Sequence, residues 1–366
     1  MKIIFDKSDL LNAINIVLKA VPSKTTMSIL ECILIDATTD EIKFTANDME
    51  LGIETKVKGE VLEKGSIAID AKIFSEIIRK LPDSEVIIET DSSMRMDISC
   101  EKAHFNIAGK TGEDFSSLPD VEKNKFIFLS QFTLREIIRQ TIFSIAPADS
   151  SNKIMTGILI EIFDGKMKVV SLDGHRVSLR NIELKDAFDN IKVIVPGKTL
   201  NEISKILSGN AEDEVRIFFT DNHIVFEFEN TVVVSRLIEG NYFNVEQMLS
   251  NDYETKVIIN KKDFVDCIDR ATLLVKESDR KPIVFAIQDG EMELKINSTI
   301  GSMNENIIIN KEGKDLMIGF NPKFLLEALK VIDDEEINIY FLNSKAPMYM
   351  KDENESYNYL ILPVAM

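Results

Sequence analysis

The sequence is poor in the residues that usually carry chemistry. Only three histidines (His104, His175, His223) and three cysteines (Cys32, Cys100, Cys267) occur in 366 residues, and neither set has metal-ligand spacing. An odd number of widely separated cysteines is no disulfide framework, so they read as small core residues. There is no HExxH pattern, no P-loop, no GxSxG elbow and no glycine-rich dinucleotide fingerprint after a strand. The 61 acidic residues guarantee chance carboxylate pairs without selecting one. No catalytic residue, metal or cofactor is therefore expected. No apolar run approaches the roughly 20 residues that span a bilayer, and the opening MKIIFDKSDLL meets charge too soon to be a signal peptide. A cytoplasmic protein with no membrane partner follows. Long Gly, Ser or Pro tracts are missing too, which predicts domains held in a fixed arrangement.

What the sequence does have is one structural pattern written three times. Amphipathic helical stretches follow short strands at DLLNAINIVLKAV from Asp9, FTLREIIRQTIFSI from Phe132 and DFVDCIDRATLLV from Asp263. Superposing Ile14, Ile137 and Ile268 gives a period of about 120 to 130 residues, the size of a domain and too long for a solenoid unit. A second strand-to-helix joint repeats as GSIAIDAKIFSEIIRKLP, DNIKVIVPGKTLNEISKIL and KDLMIGFNPKFLLEALKVI. Each copy reads as β-α-β-β-β-α-β-β, an α+β class in which helices cover one face of antiparallel sheets. VRIFFTDNHIVFEFEN reads as a hairpin turning at Thr220 to His223. Boundaries fall near Asp120 to Lys125 and Asn251 to Thr255, giving domains 1–122, 123–253 and 254–366.

Charge is unevenly spread. The chain carries −18 overall, yet segments 7–24, 70–80, 131–140, 197–207, 261–281 and 321–330, which hold the repeated helices, are each net positive. The rest of the chain is correspondingly more acidic. Positive helices on an acidic background predict one surface that faces phosphate, set against the plainer reading that any exposed helix is solvated by Lys and Arg.

On these features the chain resembles the bacterial DNA polymerase III beta subunit family, the sliding clamps. The resemblance rests on the threefold architecture, SLDGHRVSL at 171–179, VIVPGKTLNEISKIL at 193–207 and the closing YLILPVAM. It implies a head-to-tail homodimeric ring of six similar domains, helices lining the hole and sheets outside. It also implies a processivity factor that encircles double-stranded DNA without reading sequence and works with a clamp loader and a replicative polymerase. The lining residues would be Lys24, Lys72, Arg79, Lys80, Arg135, Arg139, Lys198, Lys205 and Lys323. A peptide-binding cleft between domains 2 and 3 would use Met155, Leu172, Val177, Met248, Leu360, Ile361, Leu362, Val364 and Met366 as apolar walls. Asp173 and Gly174 would make a tight turn that presents His175 and Arg176 at the rim, and Pro363 would fix the terminal segment.

Near Gly240 the family usually has a Phe-Pro pair and a basic stretch, whereas this chain reads NYFNVEQMLS. Phe243 and Gln247 should make that part of the cleft bulkier and less positive, and Pro347 is placed beside it. The resemblance also implies that the dimer joins Phe105 and Ile107 of one copy to Leu273 and Leu274 of the other. Two other classes remain open at this stage: a scaffold that binds partner proteins without encircling DNA, and a hydrolase with a carboxylate pair.

Overall fold

The computed structural model describes residues 1–186, 188–275 and 281–365. Its helices are α1 (Lys7–Val17), α2 (Ala71–Lys80), α3 (Gln131–Thr141), α4 (Gly197–Ser204), α5 (Lys261–Thr272) and α6 (Pro322–Leu329). Most start the same way: a polar residue at the end of the preceding strand accepts from a backbone N–H of the first turn. Asp6 bonds Ser8, Asp70 bonds Ile73, Ser130 bonds Thr133, Asn260 bonds Asp263 and Asn321 bonds Lys323, at 2.7–3.1 Å. The side chain thus satisfies a donor that the helix leaves orphaned, and fixes where strand becomes helix.

Between its two helices each repeat has at least four strands, and three more follow the second helix. That is at least one more between the helices, and one more after them, than the sequence pattern predicts. The reason is visible at Lys166–Leu172 and Arg176–Glu183, which form two paired strands but read as a single alternating run because only three residues separate them. The hairpin at Thr220 to His223 forms as expected, with Glu214–Phe219 paired to His223–Phe228.

The chain divides into two compact units, one comprising Met1–Leu134 with Lys198–Leu237 and the other Arg135–Gly197 with Ile238–Met366. In the first unit a 13-stranded sheet runs through an antiparallel seam where Leu51–Val57 pairs with Thr231–Arg236. Helices α1 and α2 bury Leu10, Ile14, Val17, Phe74 and Ile78 against it. Phe44 stands among them, edge-on to Phe5 with ring centroids 6.0 Å apart and 6.4 Å from Phe74. In the second unit a 12-stranded sheet has its own seam, Arg176–Glu183 against Tyr357–Ile361. Its core repeats the aromatic chain, with Phe264, Phe285, Phe320 and Phe341 in successive contact at 5.5–6.3 Å. All three cysteines are buried and free.

Gly313 closes the strand Ser302–Gly313 at φ +97°, and a Cβ there would lie 1.9 Å from the Glu254 carbonyl oxygen. Only glycine meets both conditions. Gly313→Ala should cost about 1–3 kcal/mol from the backbone alone, with the clash added. Thermal denaturation reads this as a lowered midpoint, and an unchanged midpoint would contradict the account.

Candidate functional site

The turn after Leu172 is built by one carboxylate. Asp173 Oδ1 accepts from the backbone N–H groups of His175 and Arg176 at 2.9 and 3.2 Å, and Gly174 takes φ +88°, a left-handed conformation that favours glycine. The His175 carbonyl then receives the Leu362 N–H at 2.9 Å, which ties the terminal segment to the turn. Beyond it, the Val364 N–H reaches the Gly319 carbonyl at 2.8 Å.

This seam carries an apolar cluster distinct from the core of the third repeat. Leu172, Val177 and Leu360 are buried in it together with Leu159, Val170, Leu179, Ile194, Tyr242, Val245 and Tyr349. Met155 and Phe243 pack half-buried at its margin, beside Ile154, Ile238, Leu249 and Tyr340. Met248 and Leu362 are exposed, Pro363 and Val364 half-buried and Gln247 exposed. Pro347 is half-buried one residue before the strand Met348–Lys351 that carries Tyr349, outside the cluster itself. Met366 lies outside the described residues.

Two tyrosines that the sequence reading missed organise this margin. Tyr349 donates its hydroxyl to the Met248 carbonyl at 3.0 Å and so pins the loop that bears Met248. Tyr242 packs edge-on to Phe243. Burial raises the pKa of both hydroxyls, so they remain neutral donors at physiological pH. The alternation of YLILPVAM and KAPMYMKD was the available signal for Tyr349, since it shares a face with Leu360 across the strand pair.

Two expected wall and rim residues lie elsewhere. Ile361 is fully buried in the core of the third repeat, because neighbouring strand residues face opposite sides and Leu360 takes the side of the apolar cluster. Arg176 is only 7% exposed and is not a free rim group. Its Nε donates to Asp173 at 3.0 Å, while its other nitrogens reach Glu327 and the Phe143 carbonyl. Its guanidinium also lies 4.4 Å over the Phe324 ring. His175 stacks on the same ring. Arg176 therefore braces the turn against α6.

The basic residues fall into two groups. Lys24, Lys72, Arg79, Lys80, Arg135 and Lys323 are exposed and form no ion pair with another described residue. The others are engaged: Arg139 with Glu136 and Asp333 at 2.6 and 2.9 Å, Lys198 with Asp48, and Lys205 with Glu202 at 2.7 Å. Helix α5 departs from the predicted pattern. Its exposed residues include Lys262, Asp263, Asp266, Asp269 and Arg270, and Arg270 is paired with Glu305, so the positive count of segment 261–281 comes from beyond the helix.

Phe105 is exposed and Ile107 half-buried on Ala103–Thr111, which over residues 103–108 pairs only with Arg95–Cys100. Leu273 caps α5 at 78% exposure, whereas Leu274 packs partly against the core. Near them Ser302–Gly313 pairs over residues 302–308 only with Glu291–Asn297 and leaves Ile308 exposed. No helix among the described residues is long and apolar enough to cross a membrane.

Replacing Arg176 removes the positive partner of two carboxylates in a largely buried setting. Arg176→Gln should destabilise the protein by about 3–5 kcal/mol, read as a lower denaturation midpoint. A variant of native stability that lost only peptide affinity would restore the rim role.

Comparison with known proteins agrees with this organisation. Models of the DNA polymerase III beta subunit match in order: the N-terminal domain at residues 1–119, the central domain at 128–244 and the C-terminal domain at 246–365. The beta sliding clamp of Bacillus subtilis is 35% identical over all of this chain and 99% of its own length. A solved chain assigned as the DNA polymerase III beta subunit of Eubacterium rectale is 65% identical, covers 100% of both chains and superposes with a TM-score of 0.97. The Bacillus subtilis clamp structure is 34% identical with a TM-score of 0.96. With its three repeats matched in sequence order and its whole length covered, the chain belongs to the DNA polymerase III beta subunit family, clamps with the three-domain DNA clamp fold and no catalytic activity of their own.

Proposed function

We propose that two copies of this chain close head to tail around duplex DNA and hold the replicative polymerase on its template through a peptide cleft at the seam of the second and third repeats. The protein is a processivity factor by family. The division of labour among its residues is our reading, as are the domain limits 1–122, 123–253 and 254–366 and a cytoplasmic location.

The observation that carries the reading is two strands, one in the first repeat and one in the third, that have ladder partners on both sides over part of their length and on one side over the rest. Residues 103–108 and 302–308 each have a ladder partner on one side only, and each bears exposed apolar side chains, Phe105 and Ile308. An exposed apolar edge invites another strand. Pairing the edge in the first repeat with that in the third is a heterologous contact, which makes a ring when its rotation closes. Phe105, Ile107, Leu273 and Leu274 would then be shielded together.

Within the ring, DNA would be held by enclosure. Strong phosphate contacts would oppose sliding, so a sparse set of unpaired cations suits the task. Lys24, Lys72, Arg79, Lys80, Arg135 and Lys323, which form no ion pair among the described residues, are the first candidates. Arg139, Lys198 and Lys205 would contribute less, because phosphate must first displace a carboxylate from each. The acidic remainder of the chain would repel DNA from other surfaces. In the cleft, the Leu172, Val177 and Leu360 floor, with Met155, Phe243 and Met248 at its margin, would take the apolar side chains of an extended peptide from the polymerase, the clamp loader or other clamp-binding proteins. Methionine's flexible thioether lets one surface fit several partners.

The test is to remove the exposed contacts without touching a core. A Phe105→Asp, Leu273→Asp double variant should sediment as a folded monomer and no longer raise the product length of the polymerase. A dimer that survives both changes would place the interface elsewhere.

A further inference from the structure

The turn that opens the peptide cleft has a counterpart in the first compact unit. Asn47 to Leu51 repeats, residue for residue, the hydrogen-bond pattern of Leu172 to Arg176. Asp48 Oδ1 accepts from Glu50 and Leu51 at 3.0 and 2.7 Å, as Asp173 does from His175 and Arg176. Met49 takes φ +75° where Gly174 takes +88°. The Glu50 carbonyl receives the Arg236 N–H at 2.9 Å, as the His175 carbonyl receives that of Leu362. Each turn stands at the seam of its own sheet.

Beside this second turn lies a cavity of about 250 Å³, room for one or two side chains and too small for a typical drug-sized ligand. Met49, Leu51, Leu118 and Val234 supply apolar lining, and His223 and Arg236 supply polar groups. Met49 holds an exposed apolar side chain on a left-handed backbone, which a non-glycine residue adopts at a cost. Charge indicates what would enter. The acid of the turn, Asp48, is already neutralised by Lys198. Burial, with Arg236 nearby, lowers the pKa of His223 and keeps it uncharged. Arg236 is exposed and pairs with no described carboxylate; Glu50 shares the lining without forming an ion pair with it. A free guanidinium beside an apolar pocket, in a chain of net charge −18, complements a carboxylate next to an apolar side chain.

We propose that this cavity is a second docking site, for a short extended segment of a partner protein that seats one apolar side chain against Met49, Leu118 and Val234 and sets a carboxylate against Arg236. The proposal rests on the peptide reading of the cleft at the other seam, whose turn it duplicates. The two sites would let one protomer hold two partner segments at once, with different selectivity, because Arg236 is open to a ligand where the arginine of the other turn is buried.

Methionine methyl groups report the two places separately. In protein labelled with 13C at the methionine methyls, Met49 marks the first seam and Met155 and Met248 mark the second, each assigned by substitution to leucine. The probes are the blocked peptides acetyl-Ala-Leu-Asp-Ala-amide and acetyl-Ala-Leu-Lys-Ala-amide. The Asp peptide should shift the Met49 signal, with an affinity about fivefold weaker for the Lys peptide and for the Asp peptide on Arg236→Gln. A Met49 signal that stays fixed while Met155 and Met248 move would overturn this proposal and leave the cleft reading intact. Movement of Met49 alone would support it and sink the cleft. Equal affinity for the two peptides, no effect of Arg236→Gln, or a Met49 shift with oligothymidine in place of peptide would each refute it.

Discussion

Pairing β-sheet edges across repeats governs this molecule. Each seam, Leu51–Val57 with Thr231–Arg236 and Arg176–Glu183 with Tyr357–Ile361, closes an edge that a lone repeat would leave open. An open edge exposes a row of unsatisfied N–H and C=O groups, which is costly when buried and prone to association when exposed. Sharing strands across a seam makes one sheet out of parts of two repeats. It also creates, beside each seam, a place where a turn, a linker and a terminal segment meet. The apolar cluster at Leu172 and Leu360 and the cavity at Met49 and Val234 both lie at such a junction. The stretches 103–108 and 302–308 remain half-paired, and ring closure follows the same logic one level up, between chains.

Electrostatics then divides the surface. Charges that must hold a conformation are paired, as in Arg176 with Asp173 and Glu327 or Lys198 with Asp48. In our reading, those that would meet a mobile polyanion are exposed and form no ion pair with another described residue, as in Lys72, Arg79 and Arg135. Exposed lysines and arginines attract phosphate weakly and in a salt-dependent way. That strength suits a ring which retains DNA by topology and must not stop it from moving.

Much of this organisation was legible in the sequence. The helices were found because their apolar spacing is regular and a capping Asp, Asn or Ser ends the strand before most of them. Strand number was undercounted because hairpin partners such as Lys166–Leu172 and Arg176–Glu183 merge into one alternating run. Leu172, Val177 and Leu360 could be named from the resemblance and share one cluster. Ile361 could have been set apart by alternation alone, since its neighbour Leu360 faces the seam cluster and Ile361 the core of the third repeat. The burial of Arg176 was not legible, because Phe143, Phe324 and Glu327 come from elements far away in the chain. Alternation marked the face of Tyr349 but not its partner: the Met248 carbonyl it bonds, like the Gly157 carbonyl bonded by Tyr242, is set by tertiary packing, which local pattern does not encode.

Holding DNA by encircling it leaves a topological signature. The most direct measurement is the protein's retention on nicked circular DNA after loading by its clamp loader and ATP, before and after the circle is cut once. Stable retention on the circle that disappears on linearisation is the predicted result. Retention that persists on the linear molecule would mean direct binding to DNA and would contradict the account.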